Sequence, residues 1–331
     1  MKKVISILLI LCMLAAFTAC SQNSNDKDLK NITLCLDWTP NTNHTGFFVA
    51  MAKGYYEEAG IKLTVVQPPE DGAELMTASG QAQFGISFQD TIAASYAMEK
   101  PLDVTAVSAI LQHNTSGIIT RKGEGGSTPK GLEGMRYSTW NGPIEIATLK
   151  SVMESDGGDF SKVTLLPNVP TNEAEALRNK DTDAIWIFYG WAGVSCKLNG
   201  LDFDYFNFTD IDPVFDYYTP IIIANNSFLK AEPETAKAFL SATEKGYRYA
   251  IEHPEDAAQI LVDGDETGAL SGSVELVTES QKWISEQYMA DSEKWGYIDA
   301  ARWNGFYKWL YDNKLIEKDL TDYGFTNDYL S

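Results

Sequence analysis

The residues of this chain best equipped for chemistry are flat rings set among short polar side chains. Leu36-Asp37-Trp38-Thr39-Pro40-Asn41-Thr42-Asn43-His44 places an indole, two amides and an imidazole within seven positions. An indole face stacks a flat heterocycle, and the amides of Asn41 and Asn43 offer both donors and acceptors to ring nitrogens. Structural roles compete at each position. Trp38 also fits a core residue under the loop, and Asn41 and Asn43 fit Asx turns around Pro40. His44 fits a loop-fixing hydrogen bonder as well as a ligand contact, and it has no visible partner for base catalysis. A second group is Trp140-Asn141-Gly142-Pro143-Ile144-Glu145. Pro143 at the first helical position and Glu145 at the third mark a helix start with a charge that suits its dipole. A helix N-terminus aimed into a cleft attracts anions. A carboxylate there opposes a sulfonate or phosphate and suits a ligand that presents N–H donors. The remaining candidates directly follow strands or a chain crossing: Gln89 and Asp90, Tyr189 and Trp191, and Tyr218. Core packing is the competing role for all five.

Other chemistries lack their residues. Cys12, Cys20, Cys35 and Cys196 form no CxxC, and His44, His113 and His253 form no HxxxH pair, so no zinc ligand set is present. Gly123, Gly125 and Gly126 fall in a turn after a strand without GxGxxG spacing, which excludes a dinucleotide fingerprint.

The elements that must position these side chains alternate. Strands are predicted over 31–36, 61–66, 84–87, 102–111, 116–121, 135–138, 163–166, 184–188, 203–206 and 219–224. Helices are predicted over 46–59, 72–79, 91–99, 143–153, 172–178 and 189–199. From Pro233 onward helical patterns dominate, over 234–253, 254–262, 271–288 and 299–315. The β-α-β alternation predicts an α/β fold with a mostly parallel sheet and helices on both faces. Chain crossings near 114–117 and 218–221 divide it into two lobes, 31–115 plus 221–331 and 116–220. Open α/β sheets bind ligands off the carboxyl ends of their strands, so those ends should face a cleft closed by a two-strand hinge. Trp283, Trp303, Phe306 and Trp309 recur at helical spacing and read as packing. Cys35 lies in an apolar strand, so Cys35 and Cys196 are expected as buried free thiols.

The chain has 331 residues, consistent with two domains of ~150 residues each. Its 44% hydrophobic content excludes a disordered acidic tail. With 26 Lys+Arg against 46 Asp+Glu, the formal charge of −20 argues against nucleic acid and against a polybasic membrane surface. Met1-Lys2-Lys3 is a basic start, residues 4–17 are apolar, and Phe17-Thr18-Ala19-Cys20 precedes a polar run. This resembles a bacterial lipoprotein signal over 1–19, with Cys20 carrying lipid and 20–30 forming a tether to the membrane surface. Phe17 departs from the usual leucine.

The loop from Leu36 to Gly46 resembles the first strand-loop of bacterial solute-binding lipoproteins for thiamine pyrimidine precursors (ThiY-like). The resemblance continues through Phe48-Val49-Ala50, Ala52-Lys53-Gly54-Tyr55-Tyr56, Phe84-Gly85-Ile86-Ser87 and Trp140 to Glu145. It covers essentially the whole mature chain. It implies a type II periplasmic-binding-protein fold and a formylaminopyrimidine-type ligand. That ligand would be delivered to an ABC permease with a cytoplasmic ATPase by a monomer needing no cofactor. Binding of another small heterocycle, or of a sulfonate or nitrate anion, is the alternative. The same superfamily contains enzymes that make the thiamine pyrimidine from pyridoxal phosphate and a histidine of their own. They carry a lysine and a histidine where this chain has Ser87-Phe88-Gln89-Asp90-Thr91, and a cysteine-rich iron-binding run near 217–221, where it has no cysteine. These departures speak against a synthase.

Overall fold

Among the described residues, runs of β-branched and aromatic residues form ten strands in two five-stranded sheets. The computed structural model describes residues 29–331. The signal segment, Cys20 and most of the tether lie outside the described residues. Strands are β1 (Lys30–Cys35), β2 (Ile61–Val66), β3 (Phe84–Ser87), β4 (Val104–Ala109) and β5 (Ser116–Arg121). They continue with β6 (Arg136–Ser138), β7 (Thr164–Leu166), β8 (Ala184–Phe188), β9 (Phe203–Asn207) and β10 (Ile221–Asn225). One sheet runs β2-β1-β3-β10-β4 and the other β7-β6-β8-β5-β9. The first lobe thus takes strands from both sides of the second, and the chain crosses between lobes twice.

The sheets are mixed, which corrects the expectation of mostly parallel pairing. β1 pairs in parallel with β2 and β3, and β6 with β7 and β8. β10 runs antiparallel to β3 and β4, and β5 antiparallel to β8 and β9. The antiparallel strands are the ones that begin at the two crossings, because a chain arriving from the other lobe enters from the cleft side. The parallel strands therefore end at the cleft.

Helix ends follow local chemistry. The helical pattern over 46–59 breaks into Thr45–Ala52 and Tyr55–Glu58, because Gly54 takes a left-handed φ of 75°. Helix Gln89–Ala97 begins directly after Phe88. The helical pattern over 189–199 opens as a π turn, Tyr189–Gly193, before Val194–Leu198. The pattern over 271–288 shortens to Val274–Ser285.

In the first lobe Phe84 stacks on Phe239 at 3.9 Å, and Tyr247 on Trp295 at 4.6 Å. Trp303 and Phe306 of helix Ala300–Asp312 are buried, and Phe306 stacks on Tyr217 of the second crossing at 4.1 Å. Cys35 and Cys196 are free and buried; burial pushes Cys35 up to about 11 and Cys196 up to about 12, so both thiols stay protonated. Among the described residues no helix is long and apolar enough to cross a membrane.

Candidate ligand-binding cleft

A cavity of about 240 Å³ lies between the lobes. From the first lobe it is lined by the loop after β1, by Phe88 after β3 and by Leu111 after β4. The loop is held by its own side chains. Asn41 is extended and caps the turn Thr42–His44, its Oδ1 accepting from the Asn43 N–H at 2.9 Å. Its Nδ2 donates to the Thr39 carbonyl at 3.1 Å. The Asn41 N–H donates to His44 Nδ1 at 3.2 Å, so the imidazole proton sits on Nε2 and points to Asp37 Oδ1 at 2.7 Å. Buried His44 thereby aims the Asp37 carboxylate, which lines the cavity. Beside it Trp38 stands 68% exposed, a large ring left uncovered at the mouth.

The second lobe contributes Phe188, Gly190 and Trp191 from the end of β8. The Phe88 and Phe188 rings face each other across the cleft at 6.5 Å and 19°. That is close to twice the ~3.5 Å contact distance between carbon atoms, the spacing that brackets one flat ring. Thr115 and Thr219-Pro220, with its cis peptide bond, bring the two crossings to the cavity wall, and Ile284 adds an apolar contact. Among the described residues no Lys or Arg lines the cavity. Among the described residues no cluster of three metal-ligating side chains occurs.

The profile described as NMT1/THI5 like matches residues 41–257, well over half of the chain. The chain belongs to the NMT1/THI5-like family. It is 27% identical over 320 residues to the formylaminopyrimidine-binding protein of Halalkalibacterium halodurans, covering 96% of this chain and 95% of that one. It is 26% identical over 253 residues to the 4-amino-5-hydroxymethyl-2-methylpyrimidine phosphate synthase THI11 of Saccharomyces cerevisiae, covering 70% of each. The fold is that of periplasmic binding proteins. The aliphatic sulphonate binding protein SsuA of Escherichia coli superposes with a TM-score of 0.65 at 14% identity, over 88% of this chain and 94% of that one.

In this NMT1/THI5-like chain, the cavity brings together Trp38, Asn41 and Trp191 of the residues expected from sequence, with Asn43 beside them. It does not gather the others. His44 is fully buried beneath the loop. Gln89 is buried too, donating from Nε2 to the Trp303 carbonyl and accepting the Tyr218 N–H, both at 2.9 Å. The Tyr218 hydroxyl accepts the Asp299 N–H at 2.8 Å. Asp90 sits in the first turn of helix Gln89–Ala97, its carboxylate facing the Tyr217 hydroxyl at 3.5 Å, and burial pushes its carboxyl up to about 6.

Glu145 is 2% exposed and accepts from Tyr137 Oη at 2.7 Å, Thr139 Oγ1 at 2.8 Å and the Gly142 N–H at 3.0 Å. Its oxygens serve the helix start, so the expected ligand contact gives way to an anchoring role. Gly142, Pro143 and Ile144 open helix Pro143–Ser155, preceded by Asn141 at a left-handed φ of 61°. Trp140 is half exposed and packs edge-on against Trp186 at 5.4 Å. Tyr189 lines a separate hollow with Tyr205, Asn207 and Trp283. Sequence reasoning missed Asp37, Phe88 and Phe188 as cavity residues. Their signal was the one used for Trp38, a residue at or just past a strand's carboxyl end.

Proposed function

We propose that this protein is the extracytoplasmic, lipid-anchored substrate-binding component of an ABC importer. It holds a thiamine pyrimidine precursor such as N-formyl-4-amino-5-aminomethyl-2-methylpyrimidine between its lobes and performs no chemical step. The observation that carries this reading is the cavity lining: aromatic rings from both lobes around one aimed carboxylate and two amides, without a cation. A flat ring fits between Phe88 and Phe188 with Trp38 and Trp191 at its edges. Exocyclic amine groups meet Asp37, and ring nitrogens meet Asn41 and Asn43. A sulfonate or nitrate finds no Lys or Arg partner there, and the volume, below the ~300–1,000 Å³ of drug-sized sites, suits a small ligand.

The relative of matching length is named for binding formylaminopyrimidine, which supports the same reading. The segment Ser87-Phe88-Gln89-Asp90-Thr91 contains neither lysine nor histidine, which speaks for binding over pyrimidine synthesis. Isothermal titration with formylaminopyrimidine, taurine and riboflavin tests the proposal. Saturable heat with the pyrimidine alone is expected. Binding of taurine or riboflavin without the pyrimidine would sink the ligand assignment.

A further inference from the structure

Helix Val274–Ser285 belongs to the first lobe by its packing, yet it reaches the second lobe at Gly190. Ser280, fully buried on this helix, donates its hydroxyl proton to the Gly190 carbonyl at 2.5 Å. With that proton committed, the 2.7 Å contact between Ser280 Oγ and Thr42 Oγ1 has Thr42 as donor. A directed chain therefore runs from Thr42 through Ser280 to Gly190, and both ends line the ligand cavity. The Thr42 end is itself fixed: its carbonyl accepts from Tyr288 Oη at 2.5 Å and from Thr45 Oγ1 at 3.1 Å. At the other end the approach is as close as a glycine permits. A Cβ on Gly190 would meet the Trp283 ring at 2.9 and 3.0 Å.

We infer that Ser280 is a positioning residue for ligand retention, tying the seated Thr42 loop of one lobe to the Gly190 backbone of the other. Ser280 touches no ligand. It acts by joining two cavity walls, so that a correctly placed loop and a closed cleft stabilise each other. All three groups are buried, and opening the lobes breaks the Ser280–Gly190 contact and leaves the Ser280 hydroxyl to find a new partner, while Thr42 and Ser280 stay together on the first lobe. The inference deepens the ligand-binding reading and rests on it for the retention step. The lobe contact itself can be measured without ligand.

Small-angle X-ray scattering of the ligand-free protein compares wild type with Ser280→Ala, Ser280→Thr and Gly190→Ala. Ser280→Ala and Gly190→Ala should give a larger radius of gyration, and Ser280→Thr, which keeps the hydroxyl, should resemble wild type. Stopped-flow binding of formylaminopyrimidine should then show dissociation about tenfold faster in Ser280→Ala, with association within about twofold. Equal radii in all four proteins overturn the inference, as does a loss of affinity confined to association. Should wild type bind no pyrimidine, the ligand reading fails, and the scattering series alone decides the role of Ser280. Should Gly190→Ala fail to fold, Ser280→Ala and Ser280→Thr carry the comparison.

Discussion

A buried carboxylate is an anchor or a free acceptor according to who holds its oxygens. Both Glu145 oxygens are taken by neighbours, whereas Asp37 has one oxygen fixed by His44 and faces the cavity. Glu145→Gln turns an amide toward groups that donate, and should cost about 2 kcal/mol of stability. Thermal unfolding reads that loss, while the Kd for the pyrimidine should stay within about twofold. Trp38→Ala does the opposite. It removes an exposed ring whose stacking counts only when ligand is present, so unfolding should be unchanged and binding weaker by about 1–2 kcal/mol, roughly five- to thirtyfold in Kd by titration. At this scale sequence legibility was uneven. Trp38 follows a strand end directly, and that position alone brings it to the cleft. The burial of Gln89 and Tyr218 depends on Trp303 and Asp299, more than eighty positions away from each, and no local pattern reports such partners.

Among the elements, an ion cluster around Asp183 ties strands of the second lobe together. Asp183, just before β8, meets Arg121 of β5 at 2.5 Å and Arg136 of β6 at 2.9 Å. The Arg136 guanidinium, with Arg121, holds its carboxyl well below the usual carboxylate range. A depressed value contributes stability above the unfolded pKa, near 4, and that stability is lost as pH falls further. Asp183→Asn should therefore lower stability at pH 7 by about 2 kcal/mol, since the cluster is only partly exposed. Urea unfolding should show wild type and variant converging as pH falls below about 4. Strand positions were legible because apolar runs and turn residues are local signals. Strand direction was not: β5 and β10 turn antiparallel because each enters its sheet from a crossing.

At the scale of the whole molecule, the two crossings meet through His113. Its Nδ1 lies 2.7 Å from Asp216 of the second crossing, its Nε2 lies 2.9 Å from Asp291, and Arg302 stands 3.4 Å from the same Asp216. Asp216 leads in raising the His113 pKa above 6.5, with Asp291 adding and Arg302 opposing. A raised value contributes stability that is full below the unfolded pKa and lost as pH rises through the folded one. Wild type should thus lose stability from pH 6.5 upward, and His113→Asn should flatten that slope in urea unfolding measured across the range.

The sequence by itself determined the α/β alternation, the aromatic loop after β1 and the membership of the NMT1/THI5-like family, because each is written in neighbouring residues. Only the tertiary structure decided which side chains share the cleft. Asp37 and not Glu145 faces it, and Phe88 meets Phe188 from one hundred positions away. Direction into a cavity depends on strand ends from two lobes arriving at one place, and on which polar groups have already found partners in the core.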